Sequence, residues 1–324
     1  MMKALVYTGP EQMEIMDMPI PDRDDQELVK ISACGICGSD MHAYLGHDNR
    51  RPAPLILGHE GAGTIAKGPR QGERVTINPL VPCGDCEFCN SGRDNICQAR
   101  QIISMPPREG AFAEYVTMPA ENLITVPDGV PFAKAALAEP LAVTWHAAKL
   151  GMQLLHDNAD RSALIVGGGA IGVGSALCLK AMGCQDITIV EPNDARRSYV
   201  EERCHINAMQ HAEGLFDMVI DAVGYQATRE TASKHVKPGG TIVHIGLGED
   251  LGGLDIRRMT LQEINFTGTY CYTKQDFRET CEAIFDGRLG QLDWIEERPL
   301  ATGDAAFKDI RSGKVSAPKI LLIP

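Results

Sequence analysis

The stretch SALIVGGGAIGVGSALCLKAMGCQDITIVE, residues 162–191, restricts the fold of this chain more than any other. Ala163 to Val166 is a short apolar run and reads as a strand buried on both faces. Gly167, Gly169 and Gly172 follow it as G-x-G-x-x-G, and Ala170 to Met182 is apolar at helical spacing. Gly183 is a helix stop, and Ile187 to Val190 is a second strand that ends on Glu191. Strand, glycine turn, helix and strand together specify a βαβ unit with a parallel sheet. Each glycine has a reason: the first makes the turn, the second lets backbone approach a pyrophosphate, and the third lets helix and strand pack closely. The helix N-terminus then stabilises the phosphate charge. Gly167, Gly169, Ala170, Ile171 and Gly172 are the expected dinucleotide contacts.

Glu191 stands near the spacing at which an acid bonds a ribose 2′-hydroxyl. A carboxylate there repels the 2′-phosphate of NADP, so NAD is the expected cofactor. Arg196 and Arg197 follow closely, and two arginines would suit a phosphate, which keeps NADP as the alternative. Further apolar runs extend the sheet: FDMVIDAVG (216–224), PGGTIVHIGLG (238–248) and NFTGTYCYT (265–273), the last as an edge strand and loop. Residues 1–140 are rich in Gly, Pro and β-type alternation, as in MKALVYT and ELVKISA. They read as a partly β catalytic domain, residues 141–275 as the nucleotide domain, and residues 276–324 as a helix (FRETCEAIFDG) and a final strand (PKILLIP).

PCGDCEFCNSGRDNIC, residues 82–97, places Cys83, Cys86, Cys89 and Cys97 in a polar, turn-rich loop. Four thiolates satisfy zinc in a closed tetrahedral site that admits no substrate, so this zinc is expected to be structural. Free cysteines and an iron–sulfur cluster are the alternatives. The first 15 residues hold no apolar core of signal-peptide length, and no stretch approaches the roughly 18 apolar residues of a membrane span. A cytoplasmic protein follows, and there clustered thiols hold metal rather than pair as disulfides. The net charge of −12 with scattered Lys and Arg argues against a nucleic-acid partner.

A second set of metal-ligand residues is spread over three segments: Cys37 and His42 in GICGSDMH (35–42), His59 and Glu60 in LGHEGAG (57–63), and Glu139 in AEPLAVTWHA (138–147). Singly, each has a bland reading, a satisfied polar histidine or a solvated acid. The order of these segments with the four-cysteine loop and the glycine turn resembles the zinc-containing medium-chain dehydrogenase/reductase family over nearly the whole chain. The resemblance implies an α/β fold, a GroES-like partly β catalytic domain completed by the C-terminal segment plus a doubly wound Rossmann domain. It implies two zinc ions per chain. Cys37 and His59 would be ligands of the catalytic one, with Glu60 as the third or just behind the metal, and Glu139 where some members have a ligating residue. A basic residue at the position of Arg196 commonly contacts the adenosine ribose in this family. The resemblance also implies that Ser39 takes the hydroxyl proton, that the relay continues to His42, and that Asp40 orients a ligand. The bland reading of His42 is a surface histidine. A segment after GHEGAGTIAKG is shorter here than in relatives, and so is the one between Ala208 and Phe216, where the sheet is expected to be trimmed.

EPLAV with Trp145 and His146, and the closing KILLIP, are similar to the sorbitol and polyol dehydrogenase branch and its galactitol-phosphate members. The implied reaction is oxidation of a polyol to a ketose. Cys271 replaces an Arg of some sorbitol enzymes, and Tyr44 stands where polyol enzymes carry an aromatic near the substrate. A sugar-alcohol phosphate or L-threonine are the alternative substrates. Arg50 and Arg51 would bind a substrate anion, but the simpler reading is solvated loop charge. A homodimer or homotetramer is implied by the family, joined near residues 255–272. The alternative of another class is a non-catalytic family member, which the presence of Cys37, Ser39, His59 and Glu60 argues against.

Overall fold

The computed structural model describes residues 1–156 and 161–324. Its largest parallel sheet has six strands in the order Asn207–Met209, Ile187–Val190, Ala163–Val166, Phe216–Asp221, Val236–His244, Asn265–Gly268. In chain order that is 3-2-1-4-5-6, the doubly wound arrangement, whose strand order reverses between Ala163–Val166 and Phe216–Asp221. Ligands of such sheets bind outside the carboxyl ends of the strands at this reversal, and Gly167 stands there. Its φ of +105° explains the glycine, since side chains rarely adopt that backbone. A Cβ on Gly172 would lie 1.8 Å from the carbonyl oxygen of Gly167, so helix Ala170–Ala181 meets the turn at a distance only glycine allows.

The segment between Ala208 and Phe216 corrects one expectation. Strand Asn207–Met209 is present and pairs with Ile187–Val190. What is short is the connection, which carries no helix, so the sheet keeps its sixth strand.

The second sheet is mixed: Leu123–Thr125, Arg74–Ile77, Glu60–Ile65, Glu27–Gly35, Lys319–Ile323 and Ile295–Pro299 in spatial order, with Tyr115–Met118 also on Glu27–Gly35. Alternation in ELVKISACG places Val29, Ile31 and Ala33 on buried positions. Strand Lys319–Ile323 closes this sheet by pairing antiparallel with the end of Glu27–Gly35, so the last residues of the chain lie among the first. Helix Lys274–Phe285, which contains FRETCEAIFDG up to Phe285, packs on helix Ala138–Leu154; His146 and Lys149 reach Asp276 at 2.7 and 3.0 Å. No helix among the described residues is long and apolar enough to cross a membrane.

Gly172→Ala is expected to destabilise the protein by about 1–3 kcal/mol through overpacking and to weaken dinucleotide binding. Thermal denaturation and a fluorescence titration with NADH read the two effects; wild-type values in both would contradict the packing described.

Candidate active site

A cleft of about 570 Å³ runs from the glycine turn to the Cys37 segment. Cys37 caps the helix Gly38–Tyr44, so the Cys-Gly-Ser-Asp segment is the first turn of a helix. His59 and Glu60 stand at the start of strand Glu60–Ile65, and Glu139 lies in the first turn of helix Ala138–Leu154. The Cys37 sulfur, a His59 nitrogen and a Glu60 oxygen lie within 4.8 Å of one another. Gly35 faces Glu60 across the sheet, and a Cβ there would sit 1.9 Å from Glu60 Oε2. That glycine lets the carboxylate approach the other two donors.

Asp40 is fully buried and orients two of them. Its Oδ2 accepts the Cys37 amide at 2.9 Å; its Oδ1 lies 3.4 Å from His59 Nδ1 and accepts the Gly58 amide at 3.3 Å. Burial would raise the Asp40 carboxyl, but the His59 ring, Arg51 and the Cys37 amide hold it below its usual range. An imidazole whose Nδ1 proton faces a carboxylate presents its other nitrogen as a lone pair. Sulfur, nitrogen and oxygen donors in one cleft, with space on the cleft side, fit a catalytic zinc.

Two acids behave differently. Both Glu60 oxygens lie 2.7 Å from Lys319 Nζ, which also donates to Ile36 O at 3.0 Å. Burial pulls the Lys319 amine down, and the neighbouring Glu60 and Cys37 more than offset it, so the amine is held above its usual range. Glu139 stands outside the three close donors and accepts the buried Tyr272 hydroxyl at 3.0 Å. Burial pushes its carboxyl up to about 7. The sequence reading did not single out Lys319 or Tyr272. The one available signal for Lys319 was a lone cation at the head of an apolar final strand.

The four cysteines of the polar loop come together. Cys83 lies 3.5 Å from Cys97 and 3.9 Å from Cys89, and Cys86 lies 3.5 Å from Cys89. Tetrahedral zinc with a Zn–S bond of about 2.3 Å needs sulfurs about 3.8 Å apart, so the set fits a closed zinc site. The loop also buttresses the cleft: Asn95 Nδ2 donates to Tyr270 O at 2.8 Å, and the Asp94 carboxylate accepts the Lys274 amide.

At the nucleotide end, Glu191 Oε2 accepts the Gly168 amide at 3.0 Å and its Oε1 accepts the Asn193 amide at 2.9 Å. A Cβ on Gly169 meets nothing within 4 Å; Gly169 also lines the cleft, ahead of the helix N-terminus. Room for phosphate oxygens, helix amides and a fixed acid fit a dinucleotide. Arg196 lines the cleft 3.7 Å from Glu191, whereas Arg197 is turned to Glu191 O and Asp194. Only one of the two arginines faces the cofactor side.

Ser39, partly buried, and His42, exposed, both line the cleft. Two expectations are corrected. Tyr44 is 1% exposed and packs in the core against Phe307, ring centroids 5.0 Å apart, so it gives the cleft no aromatic wall. Arg51 is no solvated loop charge: it is 3% exposed and donates to Ser104 O, Ser39 O and Asp48. Arg50 is exposed and lines the cleft.

Residues 23–128 match the family model described as alcohol dehydrogenase GroES-like domain, and residues 170–286 match the one described as zinc-binding dehydrogenase. The chain is 31% identical to (R,R)-butanediol dehydrogenase of Saccharomyces cerevisiae, over 100% of this chain and 98% of that one. It is 28% identical to the Neosartorya fischeri protein named "Probable D-xylulose reductase A", over 96% and 94%. Among solved structures, acetophenone reductase from Geotrichum candidum in complex with NAD is 26% identical, with a TM-score of 0.87 over 100% of this chain and 97% of that one.

Cys89→Ser is expected to remove one of two zinc equivalents and to lower Tm by on the order of 5 °C. Metal analysis with calorimetry decides it, and a stable variant with full metal would refute the structural assignment. Lys319→Met leaves the buried Glu60 carboxylate unpaired and should cost about 3–5 kcal/mol. Urea unfolding of the metal-free protein measures this; a loss below 1 kcal/mol would show that the pair is not buried as described.

Proposed function

The chain belongs to the zinc-containing medium-chain dehydrogenase family, and from that premise we propose that it oxidises a secondary hydroxyl of a polyol or sugar alcohol to the ketose, reversibly, with NAD. The observation that carries the reading is the set of Cys37, His59 and Glu60 donors in the same cleft as the glycine turn. The relatives named for butanediol and xylulose support a hydroxyl flanked by further hydroxyls.

Cys37, His59 and Glu60 would hold the catalytic zinc, with Glu139 close by on the wall; Cys83, Cys86, Cys89 and Cys97 would hold the structural one. When bound, zinc stabilises negative charge on the reacting oxygen and NAD accepts the hydride. The chain supplies the rest. Gly167, Gly169, Ala170, Ile171 and Gly172 seat the pyrophosphate, and Glu191 with Arg196 seats the adenosine ribose. Asp40 fixes the Cys37 amide and the His59 ring, so neither donor has to reorganise as charge develops. Lys319 holds both oxygens of Glu60 in place and brings a positive charge to the donor set. Ser39 takes the hydroxyl proton inside the cleft, and His42 delivers it to solvent at the rim.

Residues 1–140 with 276–324 form the catalytic unit in this reading, and 141–275 the cofactor unit. Exposed Leu247, Leu251, Ile256, Leu261 and Phe266 run beside and along the edge strand Asn265–Gly268. They support a homo-oligomer joined there, a dimer or tetramer. Cytoplasmic residence is part of the proposal, because thiolate zinc sites suit a reducing compartment.

Cys37→Ala is expected to abolish turnover while NADH binding persists, read by NADH absorbance and by fluorescence titration. Full activity in that variant ends the assignment of the metal site. A panel of polyols, polyol phosphates and L-threonine tests the substrate class, and turnover of threonine alone would replace it.

A further inference from the structure

The cleft carries a charged feature that the reaction does not use. The loop before His59 presents Arg50, and the loop after strand Asn265–Gly268 presents Tyr270 and Cys271 to the same space. Arg50 holds Asp48 through Nε at 2.8 Å and Nη2 at 3.0 Å. The same carboxylate accepts Arg51 Nη1 at 3.1 Å, so one negative charge is shared by two guanidiniums. On the other flank, Arg100 lies 4.5 Å over the Tyr270 ring, and its Nε donates to the Tyr270 hydroxyl at 3.3 Å. Among the described residues no carboxylate pairs with Arg100.

Arg50 and Arg51 thus share one acid, and Arg100 adds a third guanidinium held by the Tyr270 hydroxyl and Cys97 O. The carboxylates that line the cleft do not offset them. Glu60 is held by Lys319, Glu139 by Tyr272, and Glu191 by two backbone amides at the cofactor end. A positive surplus of this kind in a chain of net charge −12 runs against the composition. The Arg50 side chain is 63% exposed, so a ligand can reach it, and its Nη1 is left over from the pairing with Asp48.

The position of the surplus is informative. Arg50 and Cys271 line the same cleft as Cys37, His59 and Glu139. Arg50 is paired with Asp48 and with none of the metal donors, so it stands apart from them on the cleft wall. That separation suits the tail of a polyol and not its reacting carbon.

We propose that Arg50, with Arg100 behind Tyr270, binds a carboxylate or phosphate at the end of the polyol remote from the reacting hydroxyl, so that the preferred substrate is a sugar acid or a polyol phosphate. The proposal rests on the polyol reading above. A guanidinium presents a planar fork that suits either anion, and the surplus charge raises the local concentration of anionic substrate.

The test compares kcat/KM for a neutral hexitol, the matching aldonate and the hexitol monophosphate, by NADH formation, in wild type and Arg50→Gln. Wild type should favour an anionic substrate by about 10–100-fold, the worth of one charge-assisted hydrogen bond. In Arg50→Gln the anionic-to-neutral ratio should fall about tenfold or more, through KM rather than kcat, and Arg50→Lys should recover part of it. Preference for the aldonate or for the phosphate identifies the anion. A wild type that favours the neutral hexitol, or a ratio unchanged in Arg50→Gln, overturns the proposal and leaves the polyol reading intact. Turnover of none of the three overturns both. Should Arg50→Gln fail to fold, Arg100→Gln reads the same ratio.

Discussion

The buried contact between Lys319 and Glu60 holds the site together. Strand Lys319–Ile323 reaches strand Glu27–Gly35 from the far end of the chain, and its first residue places an ammonium against both oxygens of Glu60. Glu60 is fully buried, and a carboxylate so buried is costly without a partner. Lys319 hydrogen-bonds both Glu60 oxygens beside Cys37 and His59, and Gly35 leaves the space the carboxylate occupies. The metal donors thus depend on residues that come together only when the C-terminal segment has docked. A chain truncated before residue 319 would keep its glycine turn and lose the partner of its buried acid.

The four-cysteine loop has a comparable indirect role. It has little core of its own, and its sulfurs are spaced for a metal that would fold it. Its far end then fixes the cleft wall: Asn95 holds the Tyr270 carbonyl, Asp94 holds the Lys274 amide, and Arg100 stacks on the Tyr270 ring. Tyr272, two residues on, holds Glu139. A site that touches no substrate therefore orders the wall against which substrate would lie, which gives a physical reason for a second metal in one enzyme.

Much of this was legible in the sequence because it is encoded locally. The glycine turn, its helix and both flanking strands follow from apolar periodicity and three glycines, and they appear at Ala163–Val166, Ala170–Ala181 and Ile187–Val190. The four-cysteine loop is equally local. Cys37, His59 and Glu60 lie apart in sequence, and what grouped them was a family resemblance rather than spacing. Tyr44 failed because a helix of seven residues presents side chains to both core and cleft, and position alone does not choose the face. Arg51 failed because its burial is compensated by the carbonyls of Ser104 and Ser39, and backbone acceptors leave no trace in a sequence. Lys319 and Tyr272 were missed for a related reason: each pairs with an acid more than a hundred residues away.

The charges in the cleft follow one rule at both ends. At the cofactor end a carboxylate, Glu191, is held by amides with Arg196 beside it, so the acid stays available to hydroxyls. At the opposite end the acid, Asp48, is outnumbered, and guanidinium edges face the space. A neutral ribose and an anionic tail call for these opposite balances. The chain as a whole is acidic, so its net charge would repel both a dinucleotide and an acidic substrate at long range. Screening confines that repulsion to about 8–10 Å at ordinary salt, and within that distance the helix N-terminus and the arginines set the sign. Local arrangement, more than composition, decides what such a cleft accepts.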